Sequence, residues 1–187
     1  ANFDAGILVG LIGFAYALEI DAQSHETALQ RMRAGARRGF WFGFAANMFA
    51  LRFVPDVLAR FTPLPWIANS TALVLLSAAQ ALPWVAGGSL ARILVNVSER
   101  DVSDGKPPLA PSWLAFGICV YSACFIPSIF PWTPAGGLAR WPILLQTAEL
   151  VGERGTSFVL AIACGFAATA IRWGLPIRRR VTKTGDA

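Results

Sequence analysis

The stretch LPWIANSTALVLLSAAQALPWVAGGSLARILV, residues 64–95, decides the fold class. It is the longest of several charge-poor runs, with Asn69, Gln80 and Pro83 inside it. Apolar residues lie on every side of the helix it would form. A helix without a polar stripe is buried in a bundle or faces lipid. About 20 such residues cross the hydrocarbon core of a bilayer. No sustained period-two alternation is present, so the strands of a membrane barrel are excluded.

Working outward, four more runs share this character. Gly6 to Leu18, Gly39 to Val54, Ser112 to Phe130 and Thr156 to Trp173 are all charge-poor. With modest extensions they give five helical spans, at 1–20, 39–61, 64–95, 112–130 and 156–174. The sequence therefore predicts an all-α, polytopic transmembrane helix bundle. One such domain takes up the whole chain, 1–187, with residues 175–187 as a basic tail. The connections hold the polarity: Asp21 to Arg38, a turn at Pro55 to Pro65, Asn96 to Pro111, and Pro131 to Gly155.

Composition supports this reading. Of 187 residues 55% are hydrophobic and only 14% charged, against about a quarter charged in a soluble domain. So little charge cannot clothe a soluble surface. The net charge of +5 does not point to nucleic acid, because no Lys/Arg-rich helix alternates with stacking aromatics. Cys119, Cys124 and Cys164 lie inside apolar runs without ligand spacing and read as small buried hydrophobes. His25 stands alone in sequence. Nothing calls for a metal or a cofactor, and no residue is singled out as catalytic.

The cations set an orientation. With Asp21–Arg38 in the cytoplasm and five alternating helices, twelve of the sixteen Lys and Arg fall inside. Only Arg52, Arg60, Arg140 and Arg154 fall outside. The Pro131–Gly155 connection then faces outward and the tail inward. Trp66, Phe130, Trp132 and Trp141 sit at the outer interface.

Two polar patterns lie at membrane depth. Gly35, Gly39, Gly43 and Asn47 recur every four residues, a face on which two helix backbones can approach and an amide can bond across. Asn47, Gln80 and Tyr121 read as glue between helices or as a polar lining for a bound headgroup.

The stretch 130–158 carries the functional reading. Phe130-Pro131-Trp132 ends one span, and a Gly/Trp/Pro-rich link follows. Ile143 to Phe158 then lies along the interface, with Glu149 and Glu153 at i and i+4 sharing one side. The expected lipid- or substrate-facing set is Phe130, Pro131, Trp132, Trp141, Glu149, Glu153, Arg154 and Ser157.

Four features together resemble the membrane domain of bacterial apolipoprotein N-acyltransferase. They are the Arg37-Arg38-Gly39-Phe40-Trp41-Phe42-Gly43-Phe44 segment, the outward turn Phe61-Thr62-Pro63-Leu64-Pro65-Trp66, Phe130-Pro131-Trp132, and Gln146-Thr147-Ala148 running through Gly152 and Gly155 to Ser157-Phe158. After Phe-Pro-Trp the family continues with an aromatic-Gly-Tyr-Ser-Gln segment, where this chain has Thr133-Pro134-Ala135-Gly136-Gly137. The resemblance implies a bacterial inner-membrane protein of lipoprotein biosynthesis, with phospholipid as acyl donor and a diacylated lipoprotein as acceptor. It also implies a nitrilase-like catalytic domain, which supplies the family's Glu, Lys and Cys and is not among these 187 residues. Alone, the chain is expected to hold lipids and to lack acyltransferase activity. Membrane lipids and a catalytic domain or partner subunits are the expected partners, and nucleic acid is not. A non-catalytic adaptor subunit and a small transporter stay open as alternatives, the latter disfavoured by the absence of intramembrane acid–base pairs.

Overall fold

A computed structural model describes residues 3–20, 27–103, 111–130, 133–139 and 141–174. His25, Pro131, Trp132, Arg140 and the tail at 175–187 lie outside the described residues. Those described are mostly helical, with no strand among them. The helices are α1 (Phe3–Ile20), α2 (Ala28–Ala50), α3 (Val54–Phe61), α4 (Trp66–Gln80), α5 (Leu82–Ser103), α6 (Ser112–Ala123) and α7 (Pro142–Gly174). A 3-10 turn at Ala135–Leu138 precedes α7.

Several boundaries differ from the sequence expectation, each for a local reason. Residues 28–38 are helix rather than loop. Thr27 caps α2: its Oγ1 accepts from the Gln30 N–H at 3.3 Å, and its own N–H donates to Gln30 Oε1 at 2.8 Å. That reciprocal pair satisfies donors which a helix start otherwise leaves orphaned. The expected turn at Pro55–Pro65 contains α3, because Pro in a first turn gives up an N–H that has no helical partner. The run at 64–95 breaks at Ala81, where Pro83 cannot donate to the preceding turn. The fourth run stops being helical at Ala123, and the last helix starts at Pro142, well before 156.

The expected number of spans is also corrected. By length and apolarity two helical stretches suffice to cross a bilayer, Trp66–Leu94 and Gln146–Arg172. A third is added if α2 and α3, bent by 50°, count as one span. Gly6–Leu18 and Ser112–Ala123 are apolar but shorter.

The bundle is built on two antiparallel pairings. In the first, α2 lies against α4–α5, with Gly35 facing Gly88, Gly39 facing Trp84, and Asn47 facing Gln80. In the second, α6 lies against the later half of α7. Gly117 meets Ile162, Gly165 meets Trp113, and the Ser112 and Thr169 hydroxyls are 3.4 Å apart. Helix α1 joins the pairings through a core of Leu11, Phe14, Leu18, Phe116, Cys119, Val120 and Cys164. Phe14 stacks on Phe42 at 4.4 Å and meets Phe116 edge-on at 5.7 Å, the offset and T-shaped geometries that aromatic rings favour. Arg92, 3% exposed, donates from Nη1 to the Leu18 carbonyl at 2.8 Å and ties α5 to the end of α1.

The distribution of polarity is inverted relative to a soluble protein. Asn47, Asn69, Ser77, Gln80 and Ser157 are buried, whereas Trp41, Phe61, Trp66, Leu75 and Phe166 are exposed. Apolar side chains outward and hydrogen-bonding groups inward is the arrangement that lipid imposes. The chain is a membrane protein.

Candidate functional site

A cavity of about 1100 Å³ opens where α1, α2, the α4–α5 break, α6 and the α7 break converge. Its volume is at the upper end of ordinary ligand pockets, about 300–1000 Å³. The floor is apolar. Phe42 and Trp84, 4.8 Å apart and edge-to-face, form it with Leu11 and Val120. Along α1 the wall is Gly6, Ile7 and Gly10, of which the two glycines present no side chain.

The rim is polar and is fixed by side-chain bonds to backbone. Gln80, 4% exposed, donates from Nε2 to the Phe130 carbonyl at 3.0 Å and accepts from the Phe130 N–H at 3.2 Å. Its amide thus pairs with both polar groups of one non-helical residue, which would otherwise lack partners at membrane depth. Ser128 Oγ adds a second donor to the same carbonyl at 3.0 Å. Asn47 Nδ2 bonds the Gly43 carbonyl at 2.7 Å and reaches the Gln80 carbonyl at 3.4 Å. Asn47 lines the cavity, is 2% exposed, and its Oδ1 receives no hydrogen bond from the described residues.

Opposite stands the break in α7. Gly152 adopts φ 73°, ψ 170°, a conformation nearly reserved to glycine, and separates residues 142–151 from 153–174. Three bonds hold the restarted helix. Thr133 donates from Oγ1 to Glu153 Oε1, Ser157 donates to the Glu153 carbonyl at 3.1 Å, and Ser157 Oγ accepts from the Ala135 N–H at 3.0 Å. The Arg154 guanidinium lies 4.4 Å from the Phe125 ring centre, a cation–π contact. Glu153 and Arg154 thus bring one negative and one positive group to the rim of an apolar cavity.

The expected site residues divide on this geometry. Phe130, Glu153 and Arg154 line the cavity. Ser157 is fully buried and serves as a backbone tether rather than facing lipid or substrate. Trp141 is exposed and is not part of the lining; the same holds for Glu149. Glu149 and Glu153 do not share a helix side, because Gly152 interrupts the register between them. Gly35, Gly39, Gly43 and Asn47 are buried against the neighbouring hairpin arm. Tyr121 is 40% exposed and lines the cavity. Sequence reasoning missed Phe42, Trp84, Thr133 and the α1 glycines. Only Pro83 inside the apolar run signalled a break beside which Trp84 would stand.

Chemically, the arrangement suits an aliphatic chain whose polar end remains at the rim. No group of three His, Cys, Asp or Glu that could hold a metal occurs among the described residues. A family model described as the apolipoprotein N-acyltransferase N-terminal domain matches residues 2–166 of the 187. No curated protein and no solved structure matches the chain.

Proposed function

We propose a function from one premise: the chain belongs to the apolipoprotein N-acyltransferase N-terminal domain family. It is the membrane part of a lipoprotein N-acylation enzyme, and it holds lipid-anchored substrates at the outer face of a bacterial inner membrane. The observation that carries this reading is the apolar cavity with the Glu153–Arg154 rim. Donor phospholipid and diacylated lipoprotein are both confined to the bilayer. A site that fixes an acyl chain laterally converts an encounter in two dimensions into a positioned one, which is where proximity lowers a barrier. The acyl transfer itself belongs to an extramembrane catalytic domain or partner subunit, since a reactive thiolate needs an exposed, electropositive setting. Cys119 and Cys164 are buried in the bundle, whereas Cys124 is half-buried and lines the cavity, a departure from the small buried hydrophobe its sequence setting suggests.

In this reading the tail lies in the cytoplasm. The twelve-to-four distribution of cations supports that sense. A Thr184→Cys variant in sealed cells should resist a membrane-impermeant maleimide and react only after permeabilisation. Rapid labelling of intact cells would reverse the orientation.

The site itself is tested in a full-length family member that carries this segment. Trp132→Ala and Arg154→Ala, at matched expression, should each lower lipoprotein N-acylation about tenfold, a loss of about 1.4 kcal/mol in transition-state stabilisation. Glu149→Ala, on the exposed side of the break, should lower it less. Wild-type rates in both of the first two variants would show the segment to be a passive link.

A further inference from the structure

The outer half of α1 offers the cavity no side chain at two positions. A Cβ built on Gly6 meets no atom within 4 Å, and one on Gly10 meets only Phe42 Cε2, at 3.5 Å. Glycine in a helix interior costs about 1 kcal/mol relative to alanine. Neither glycine recovers that cost through close backbone contact, unlike Gly35 or Gly39, whose added Cβ would collide with a facing carbonyl. What the two glycines do supply is space: both line the cavity, one turn apart on one helix face. Across that space stand Ala45 and Ala46 of α2, and the Phe42 ring bounds it at Gly10, where an added Cβ would already touch Cε2. Beneath it the Phe42–Trp84 pair closes the floor.

We propose that the space between Gly6–Gly10 and α2 is an acyl-chain slot, and that these glycines determine the chain bulk it accepts. The occupant is the hydrocarbon chain of a membrane lipid. The slot lies in a bilayer protein, its walls and floor are apolar or aromatic, and the polar rim with Glu153 and Arg154 receives the head. Asn47 Oδ1, buried beside the rim, is an acceptor matched to a hydroxyl or amide donor near the chain's polar end. This inference rests on the lipid-holding reading above and goes beyond it by naming what sets selectivity.

The test uses the full chain in nanodiscs of dioleoyl phosphatidylcholine doped with a phosphatidylcholine bearing a diazirine at the end of one palmitoyl chain. After irradiation, labelled peptides are mapped by mass spectrometry. In the wild type, label should appear at Phe42, Trp84 and Val120. Gly10→Leu and Gly6→Leu should reduce label at those positions about tenfold, the scale on which a pocket rejects excess bulk. Gly13→Leu is the control, because Gly13 has open space around it and does not line the cavity; its labelling should match the wild type. If Gly10→Leu fails to fold, Gly6→Leu carries the test, its Cβ meeting nothing. Wild-type floor labelling that persists in the leucine variants would overturn the role of the glycines and leave the lipid-holding reading standing. Label confined to outward residues such as Trp41 and Leu75 in the wild type would overturn both.

Discussion

Gly39→Ala should destabilise the bundle by about 2 kcal/mol or more, although alanine is the better helix former. The Cβ would stand 2.0 Å from the Trp84 carbonyl oxygen and 2.7 Å from its carbon. Both are backbone atoms, so no side chain can rotate away and the two helices themselves must part. A separation of about 1 Å forfeits a quarter to a half of the dispersion energy of every atom pair along the seam. The effect is not confined to one position. Gly35 sits the same way against Gly88, with a Cβ contact of 2.3 Å to its oxygen, and Gly43 against the Trp84 side chain. The intrinsic gain for Gly→Ala is about 1 kcal/mol, and the overpacking term outweighs it. Gly13→Ala has no such opposition and should be neutral or stabilising. Thermal unfolding in detergent, followed by near-UV dichroism, compares the two directly. A Gly39→Ala protein at least as stable as the wild type would mean that α2 and α5 do not approach as described.

The same seam shows what was legible in the sequence. Helices in lipid associate through small residues and a few amides, and a four-residue spacing of Gly35, Gly39, Gly43 and Asn47 displays both. The partner face was harder to read, because Gly88, Trp84 and Gln80 alternate small, large and polar side chains. The all-helical membrane class follows from charge depletion together with long apolar runs that lack period-two alternation. Span number does not follow so simply. The runs at 39–54 and 112–130 are apolar enough, yet they break at residues 51–53 and after Ala123, so composition overstates the continuous length. The cavity was legible only at its rim, where Phe130, Glu153 and Arg154 are near one another in sequence. Its floor joins Leu11, Phe42, Trp84 and Val120 from four helices. Each reads locally as ordinary core, and only the tertiary arrangement gathers them. Ser157 reads in the sequence as lipid- or substrate-facing, and in the fold its hydroxyl bonds the chain at Ala135 and Glu153.

Gln80→Leu should loosen the rim while leaving the helices in place. Leucine matches glutamine in bulk and suits the apolar surroundings, so packing changes little. Two hydrogen bonds vanish, and the Phe130 N–H loses its partner of 3.2 Å. The Phe130 carbonyl keeps Ser128 Oγ, at 3.0 Å. The dominant cost is therefore one unpaired amide donor in a site with little access to water, about 2 kcal/mol. Opening of the turn then becomes about thirtyfold easier, and amide exchange at Phe130 should accelerate by that factor while the α6–α7 pairing keeps its protection. In a full-length family member, Gln80→Leu should also lower N-acylation, because the Gln80 amide holds Phe130 at the cavity rim. Unchanged exchange at Phe130 in Gln80→Leu would show that the turn is held by its own backbone, and that the amide of Gln80 is only filling space between α4 and the turn.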